Sequence, residues 1–427
     1  MDGVPLTPPD SAPPARSRVI ARTPVFYGWV IVAAGTLGVI MTTPGQTVGV
    51  SAFLDPIIRD LGLSRSAVSS LYLVGTLLGA LAMPPVGRAL DRFGPRRMVT
   101  VVAALLALAC AFMATVGSAW SLLIGFTLLR GLGQGALGLV SVHVVNLWFV
   151  RRRGLALGLT GLGAALANGF FPPLIQGLIA EHGWRGAYLL LGGLVALTIL
   201  PVGAWLFRHQ PERYGLWPDS RRPVGGDEAP EPALTLAEAR RTPMFWLLVT
   251  SGVLLSALGT GLIFHHFSLL ADAGVSREVA ALVFVPIAGV YALSNLLSGV
   301  FIDRHSPKPL IPAMLVALTL ALLGPLLIRD ALTATLYGAL LGLMQGVQSA
   351  VSSSAWGYYF GRANLGAIRG LAYTTSVAGT AFGPLLFALS RDWTGTYGPA
   401  LLLGALLPLL LALLAWRVPA PGRPGPA

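Results

Sequence analysis

Charge is the scarcest thing in this chain. Asp, Glu, Lys and Arg make up 11% of its 427 residues, against about 25% in a soluble globular protein. Together with 55% apolar residues, that shortage excludes an ordinary water-soluble domain. Cysteine is nearly absent as well: Cys110 stands alone inside an apolar run, so no intrachain disulfide can form and cysteine usage says nothing of the redox compartment. Acidic residues are few, 17 against 29 basic ones. In a soluble protein the resulting net charge of +12 would suggest nucleic acid. Here the placement of the charges along the chain matters more than their sum, and no nucleic-acid partner is expected. The apolar runs contain no Ser/His/Asp arrangement, no His/Cys metal spacing and no paired carboxylates. The expectation is a protein that is not an enzyme and needs neither cofactor nor metal.

What is present is a series of long apolar runs. They recur at roughly 26–50, 67–86, 98–116, 119–149, 154–179 and 186–207, then at 243–270, 279–302, 310–328, 331–360, 368–389 and 398–416. A membrane-crossing helix needs about 20 mostly apolar residues, so the pattern predicts an all-α membrane protein with twelve transmembrane helices. The domain boundaries follow. Residues 1–25, with six prolines, read as a disordered tail without the apolar core of a signal peptide. Residues 26–207 form one six-helix bundle, 208–242 a charged linker, 243–417 a second six-helix bundle, and 418–427 a short tail.

Orientation comes from counting Lys and Arg in alternate loops. With both ends on one side, that side collects 22 of them and the other six: Arg59, Arg65, Arg185, Arg277, Arg329 and Arg391. Both termini are therefore expected in the cytoplasm, with the linker, and the location is a cytoplasmic (inner) membrane crossed many times. Arg151, Arg152 and Arg153 read as topology signals that meet anionic lipid headgroups.

The two bundles repeat one another at a nearly constant offset, the trace of a duplicated six-helix unit. Gly87, Asp91 and Arg92 recur as Gly299, Asp303 and Arg304, an offset of 212 in the numbering. Gly131 to Gly135 (GLGQG) recurs at 211 as Gly342 to Gly346 (GLMQG), and Leu189 to Gly192 recurs at 212 as Leu401 to Gly404.

Taken together, GRALDRFGPRR from Gly87 to Arg97, its degenerate copy GVFIDRHSPK, RGLGQG from Arg130 and GTAFGP from Gly379 to Pro384 resemble the signature motifs of the major facilitator superfamily. The resemblance spans Phe26 to Trp416 and implies two six-helix pseudo-repeats around a central cavity. Within that superfamily, FYGWVIV, WFVRRRGLALG, PERYGLWPD, TPMFW and YYFGRANLGAIRG are similar to bacterial oxalate/formate antiporters and monocarboxylate porters. This implies small organic anions as substrates. Those relatives commonly carry an arginine in the eighth span, where this chain has Asn295, and some carry a lysine in the eleventh, where residues 370–389 hold no charge.

Arg130 is the one charge deep inside an apolar run, and at about 2.5–3.5 kcal/mol on insertion scales it needs a partner or a water-filled cavity. Two readings are open: a bond to backbone carbonyls of its own half, or an anion or coupling site facing the cavity. His265 and His266, with His143, are the side chains in the spans that titrate near neutral pH, either as coupling groups or as neutral hydrogen-bonding residues. No Asp or Glu is expected inside a span. Other polar candidates for substrate binding or coupling are Gln46, Gln134, Asn168, Tyr291, Asn295, Gln345 and Thr374, each also able to serve as an interhelical hydrogen-bond partner. The resemblance places this set on cavity-lining helices. It also implies that Gly87, Asp91 and Arg92, with Asp303 and Arg304, form a cytoplasmic gate against the start of the eleventh span, the alternative being solvated turns. The expected function is secondary active transport of a monocarboxylate-like anion by alternating access, as exchange, uniport or symport. Efflux of hydrophobic or neutral compounds by the same fold is the alternative. The expected partners are the small-molecule substrate, the lipid bilayer and a proton or counter-substrate, and the protein is expected to be a monomer.

Overall fold

The computed structural model describes residues 17–149, 152–220, 234–361 and 365–419. Among these residues all regular structure is helical. The first half holds α1 (Gly28–Leu61), α2 (Arg65–Leu90), α3 (Pro95–Met113) and α4 (Ala119–Trp148). A long run, Leu155–Leu206, follows. It turns back at Gly183, whose φ of 67° is open to glycine at little cost, and so forms two spans, α5 (155–182) and α6 (184–206). The second half holds α7 (Pro243–Phe264, continued by His266–Asp272), α8 (Arg277–Ile302) and α9 (Leu310–Leu327). It ends with α10 (Ala331–Phe360), α11 (Leu365–Thr394) and α12 (Gly398–Ala415). These are the twelve spans expected from hydropathy.

The duplicated unit is visible in the turns as well as the spans. Gly62 (φ 62°) closes α1 and Ser64 caps α2; at the same offset in the second half, Gly274 (φ 77°) closes α7 and Ser276 caps α8. A capping box of Ser118 with Ser121 opens α4, and one of Asp330 with Thr333 opens α10, again at that offset. Each supplies oxygen acceptors to backbone N–H groups that a helix start leaves unpaired.

In lipid, helices associate through small residues that let backbones approach. A Cβ on Gly79 of α2 would lie 2.8 Å from the Gly131 nitrogen of α4, and one on Gly342 of α10 would run into the Ile287 carbonyl of α8. Large apolar side chains such as Leu166, Leu197, Trp120 and Trp393 point outward, as a lipid-facing surface requires. The halves meet through α2 with α11, α5 with α8 and α1 with α7. An even number of spans returns the chain to the face where it started, here named the terminal face.

Two sequence expectations change. The first apolar run ends near residue 50, but α1 continues to Leu61, so Asp55 lies inside a span and the expectation of carboxylate-free spans is corrected. The helix continues because Ala52, Phe53, Leu54 and Ile57 on either side of Asp55 are themselves buried apolar residues; the partners of Asp55 are described below. Of the expected disordered tail, residues 1–16 lie outside the described residues, while Arg18–Ala21 form a helical turn capped by Ser17. The linker is anchored at both ends. Arg208 donates to the Ser17 hydroxyl (3.3 Å), and the Leu234 N–H donates to the Phe360 carbonyl (3.2 Å). Residues 221–233 lie outside the described residues.

Candidate functional site

Two spans lose regular helical geometry at the same depth. α1 tightens into a 3₁₀ turn at Thr43–Gly45, and α4 widens into a π-helix at Arg130–Leu137. Irregular backbone within a membrane persists only where protein or a cavity satisfies it. Here Arg130 does so. Its Nη1 donates to the Gly45 carbonyl (2.9 Å) and its Nε to the Thr76 hydroxyl (3.1 Å), with the guanidinium 4.9 Å from the centre of the Tyr72 ring. Arg130 is 4% exposed. Tyr72 carries this node to the seam between the halves, since its hydroxyl bonds that of Thr47 (2.8 Å) and its ring packs on Phe264 of α7 (4.5 Å). Gln46 donates to the Thr42 hydroxyl (3.1 Å). The buried Oε1 of Gln134, on the π segment, has no partner among the described residues.

Three of the candidates meet across the seam. Asn168 of α5, Tyr291 of α8 and Gln345 of α10 line a cleft with Val48, Ile263 and Phe284. Its free volume is about 10 Å³, room for about one water molecule. The Tyr291 hydroxyl donates to Ser349 (3.3 Å). Asn295 sits one turn further along α8, half-buried, and Thr374 is exposed on α11.

The histidines lie elsewhere. Both are fully buried inside the second half. A carbonyl can only accept, so Nε2 carries the proton in each: His265 donates to Pro384 (2.8 Å) and His266 to Ala280 (2.8 Å). The Tyr397 hydroxyl then donates to Nδ1 of His265 (3.3 Å). Neither ring lines the cleft or the cavity described next.

A larger cavity of about 250 Å³ opens in the second half near the terminal face, between α7, α9, α10 and α11. It is lined by Ser256, Gln348, Ser352, Trp356, Ser376 and Arg369, among others. Arg369 is exposed, and among the described residues it has no hydrogen-bond or ion-pair partner. Sequence reasoning counted it only as a loop charge. The signal that marks it is position: it is a charge just inside the apolar run that forms α11.

The proposed gate turns are less fully described. The side chains of Asp91 and Asp303, and residues 362–364 before α11, lie outside the described residues. Arg92 packs over the Phe93 ring (5.3 Å), and Arg304 is exposed at the end of its helix. A Cβ on Gly87 or on Gly299 would meet nothing within 4 Å. The start of the eleventh span, against which this gate is expected to close, lies partly outside the described residues.

The opposite face is held by a cluster that the sequence did not single out. Asp55 of α1 accepts from Arg65 of α2 (2.8 Å) and Ser268 of α7 (2.7 Å) through one oxygen, and from Arg277 of α8 (3.0 Å) through the other. Arg65 also donates to Ser268 (2.7 Å), and Arg277 to the Ala52 carbonyl (3.0 Å) and Gln176 (3.3 Å). The Ser66 N–H donates to Asp392 of α11 (2.8 Å). Between described residues, every hydrogen bond that crosses from one half to the other belongs to this cluster.

Comparison with known proteins agrees with this architecture. A gallate transporter of Pseudomonas putida is 29% identical over 439 residues, covering 90% of this chain and 93% of its own. Monocarboxylate transporter 11 of Mus musculus is 30% identical over 397 residues, covering 88% of this chain and 84% of its own. Among solved structures, a bacterial homologue of the human lysosomal transporter Spinster superimposes with a TM-score of 0.68 at 19% identity, over 94% of this chain and 100% of that one. The family model described as the Major Facilitator Superfamily matches residues 35–324 and 250–427. With twelve spans in two repeated halves and this match along its length, the chain belongs to the major facilitator superfamily and is a membrane transport protein.

Proposed function

We propose that the protein is a secondary transporter that moves a small organic anion, monocarboxylate-like, across a cytoplasmic membrane by alternating access, as a monomer with both termini in the cytoplasm. The observation that carries this reading is Arg369. It is a cation without a partner among the described residues, on the wall of a 250 Å³ cavity at the terminal face, while the opposite face is bolted by Asp55 and its arginines. Such an arrangement offers a carboxylate a binding site from the cytoplasm with the other exit closed. The gallate and monocarboxylate names of the relatives point to the same chemistry. Gln46, Gln134, Asn168, Tyr291, Asn295, Gln345 and Thr374 then form the polar path between the faces. Arg130 holds the break in α1 open beside that path. His265 and His266 are kept as candidates for coupling to a proton, with a counter-substrate as the other partner. The turns with Asp91, Arg92, Asp303 and Arg304 are proposed as the cytoplasmic gate.

The test is a thermal-shift panel on the purified protein with acetate, lactate, pyruvate, oxalate, benzoate and gallate, followed by counterflow in proteoliposomes. A ligand at 100 times its dissociation constant stabilises by about 2.7 kcal/mol. Stabilisation by a carboxylate that is lost in Arg369→Gln supports the reading. The cleft between the halves, apolar apart from two amides and a phenol, favours a second reading, efflux of neutral compounds. Silence from every carboxylate together with a shift from a neutral drug would replace the first reading by the second.

A further inference from the structure

The seam on the opposite face holds two guanidinium groups for one carboxylate, and the duplication of the chain explains the imbalance. Arg65 and Arg277 are repeat mates at the offset of 212, each the first residue of its span after a serine cap. A cation at that position sits at the unfavourable end of the helix dipole, so both are held there by what they reach across to. The repeat mate of Asp55 at the same offset is Phe267. One acid therefore serves both arginines. The neighbouring acids are taken: Asp272 accepts from Arg391 (2.6 Å), and Asp392 from the Ser66 N–H (2.8 Å).

The two arginines differ in what survives a parting of the halves. Arg65 and Asp55 belong to the same half and stay paired. Arg277 has all three of its nitrogens engaged, by Asp55, the Ala52 carbonyl and Gln176, and every one of these lies in the other half. Its own half gives it the face of the Phe267 ring (5.1 Å) and the charge of its exposed neighbour Glu278, but no hydrogen bond among the described residues. Once the seam opens, Arg277 is a guanidinium backed by an aromatic ring with its hydrogen-bonding edge bare.

We propose that Arg277 is an anion-capture site on the opposite face, where the carboxylate of an organic anion takes the place that Asp55 fills in the closed seam. The choice of a carboxylate as ligand rests on the function proposed above; the site itself rests on the geometry of the seam. A planar fork of N–H donors matches a carboxylate edge to edge. In the closed seam each of its three nitrogens already donates a hydrogen bond and Asp55 supplies the opposing charge, so the anion binds the open state more tightly. A ligand shifts a conformational equilibrium by its differential affinity for the two states. An arriving carboxylate is thus both caught and a cause of opening.

The experiment uses full-length protein in proteoliposomes, with Cys110→Ala as background and Ala52→Cys, in the wall of the Arg277 socket, as reporter. A membrane-impermeant maleimide is applied from the opposite face. Sodium acetate and sodium benzoate are the probes, and sodium chloride at matched ionic strength is the control for screening. The expected result is a several-fold, saturable rise in labelling with either carboxylate over chloride. Asp55→Asn is expected to raise basal labelling and lower the half-saturating concentration, because it removes the built-in competitor. Arg277→Gln raises basal labelling as well but abolishes the response, while Arg277→Lys keeps a response weakened about tenfold because the fork is lost. A carboxylate response that persists in Arg277→Gln, a response equalled by chloride, or Asp55→Asn labelling at the unaltered basal rate would each overturn the proposal. Carboxylate flux is measured in the same vesicles. No flux with an intact labelling response removes the transport reading alone, and intact flux with an unchanged opposite-side KM in Arg277→Gln removes the capture site alone.

Discussion

The two halves share one plan and put their inner cations in different places. In the first half Arg130 is buried and spent on the Gly45 carbonyl and Thr76; its repeat mate is Leu341, packed in the core of the second half. In the second half the cation is Arg369, exposed on a cavity wall; its repeat mate in the first half is Leu157. One half bonds its arginine to an irregular stretch of helix, and the other places one on a cavity wall. At these two positions the duplicated halves exchange an arginine for a leucine.

The largest expected effect comes from making the halves alike at Arg130. Arg130→Leu leaves the Gly45 carbonyl and the Thr76 hydroxyl without their donor, and at about 1–3 kcal/mol for each unsatisfied buried group the thermal unfolding midpoint in detergent should fall sharply. An unchanged midpoint would mean that the break in α1 does not depend on this side chain. Next comes the small residue that lets α1 and α4 nest. A Cβ on Gly45 would run into the Leu129 carbonyl, whereas the repeat position in the second half is already Ala257. Gly45→Ala should cost about 1–3 kcal/mol by overpacking, and Ala257→Gly only about 0.5–1 kcal/mol. Equal losses would show that the two helix pairs pack in the same way.

Arg369→Gln is expected to lower carboxylate flux about tenfold, the worth of one charge-assisted hydrogen bond, with unchanged unfolding. Flux equal to that of the unmodified protein would leave the cavity without its anion ligand. The smallest difference lies in the caps. Hydrogen bonds from the Thr333 backbone N–H and hydroxyl hold the Asp330 carboxyl below its ordinary value of 3.8. The folded pKa is the lower one, so the cap's contribution is complete above the unfolded value and is lost as pH falls through the folded value. Ser118, its mate at α4, does not titrate. Hydrogen exchange at the start of α10, corrected for intrinsic rates, should therefore accelerate below about pH 4 while the start of α4 is unaffected. Parallel behaviour at both helix starts would remove the distinction.

Much of the fold is legible in the sequence, because a bilayer demands about 20 apolar residues per crossing and twelve such runs stand out from their charged connections. The depth of Arg130 was legible for the same reason. Its role was not, since hydropathy registers that a buried charge needs a partner without saying whether the partner is a carbonyl of its own half or a ligand. His265 and His266 stood out as titratable groups in an apolar run, and the structure ties each to a carbonyl within the second half. Asp55 was misplaced because a charge near the end of an apolar run looks like the beginning of a loop. Arg65, Arg277 and Arg369 entered only as contributions to the balance of charge between the faces.

The sequence by itself determined the number of spans, their pairing into two repeats and the family, because these depend on patterns that are local or that recur at a fixed offset. Only the tertiary structure decided that Arg130 is bonded within its half, that Arg369 lines a cavity, and that Arg65 and Arg277 converge on Asp55. Those outcomes depend on which atoms of distant spans come within about 3 Å, the range of a hydrogen bond. That range is set by how twelve helices pack.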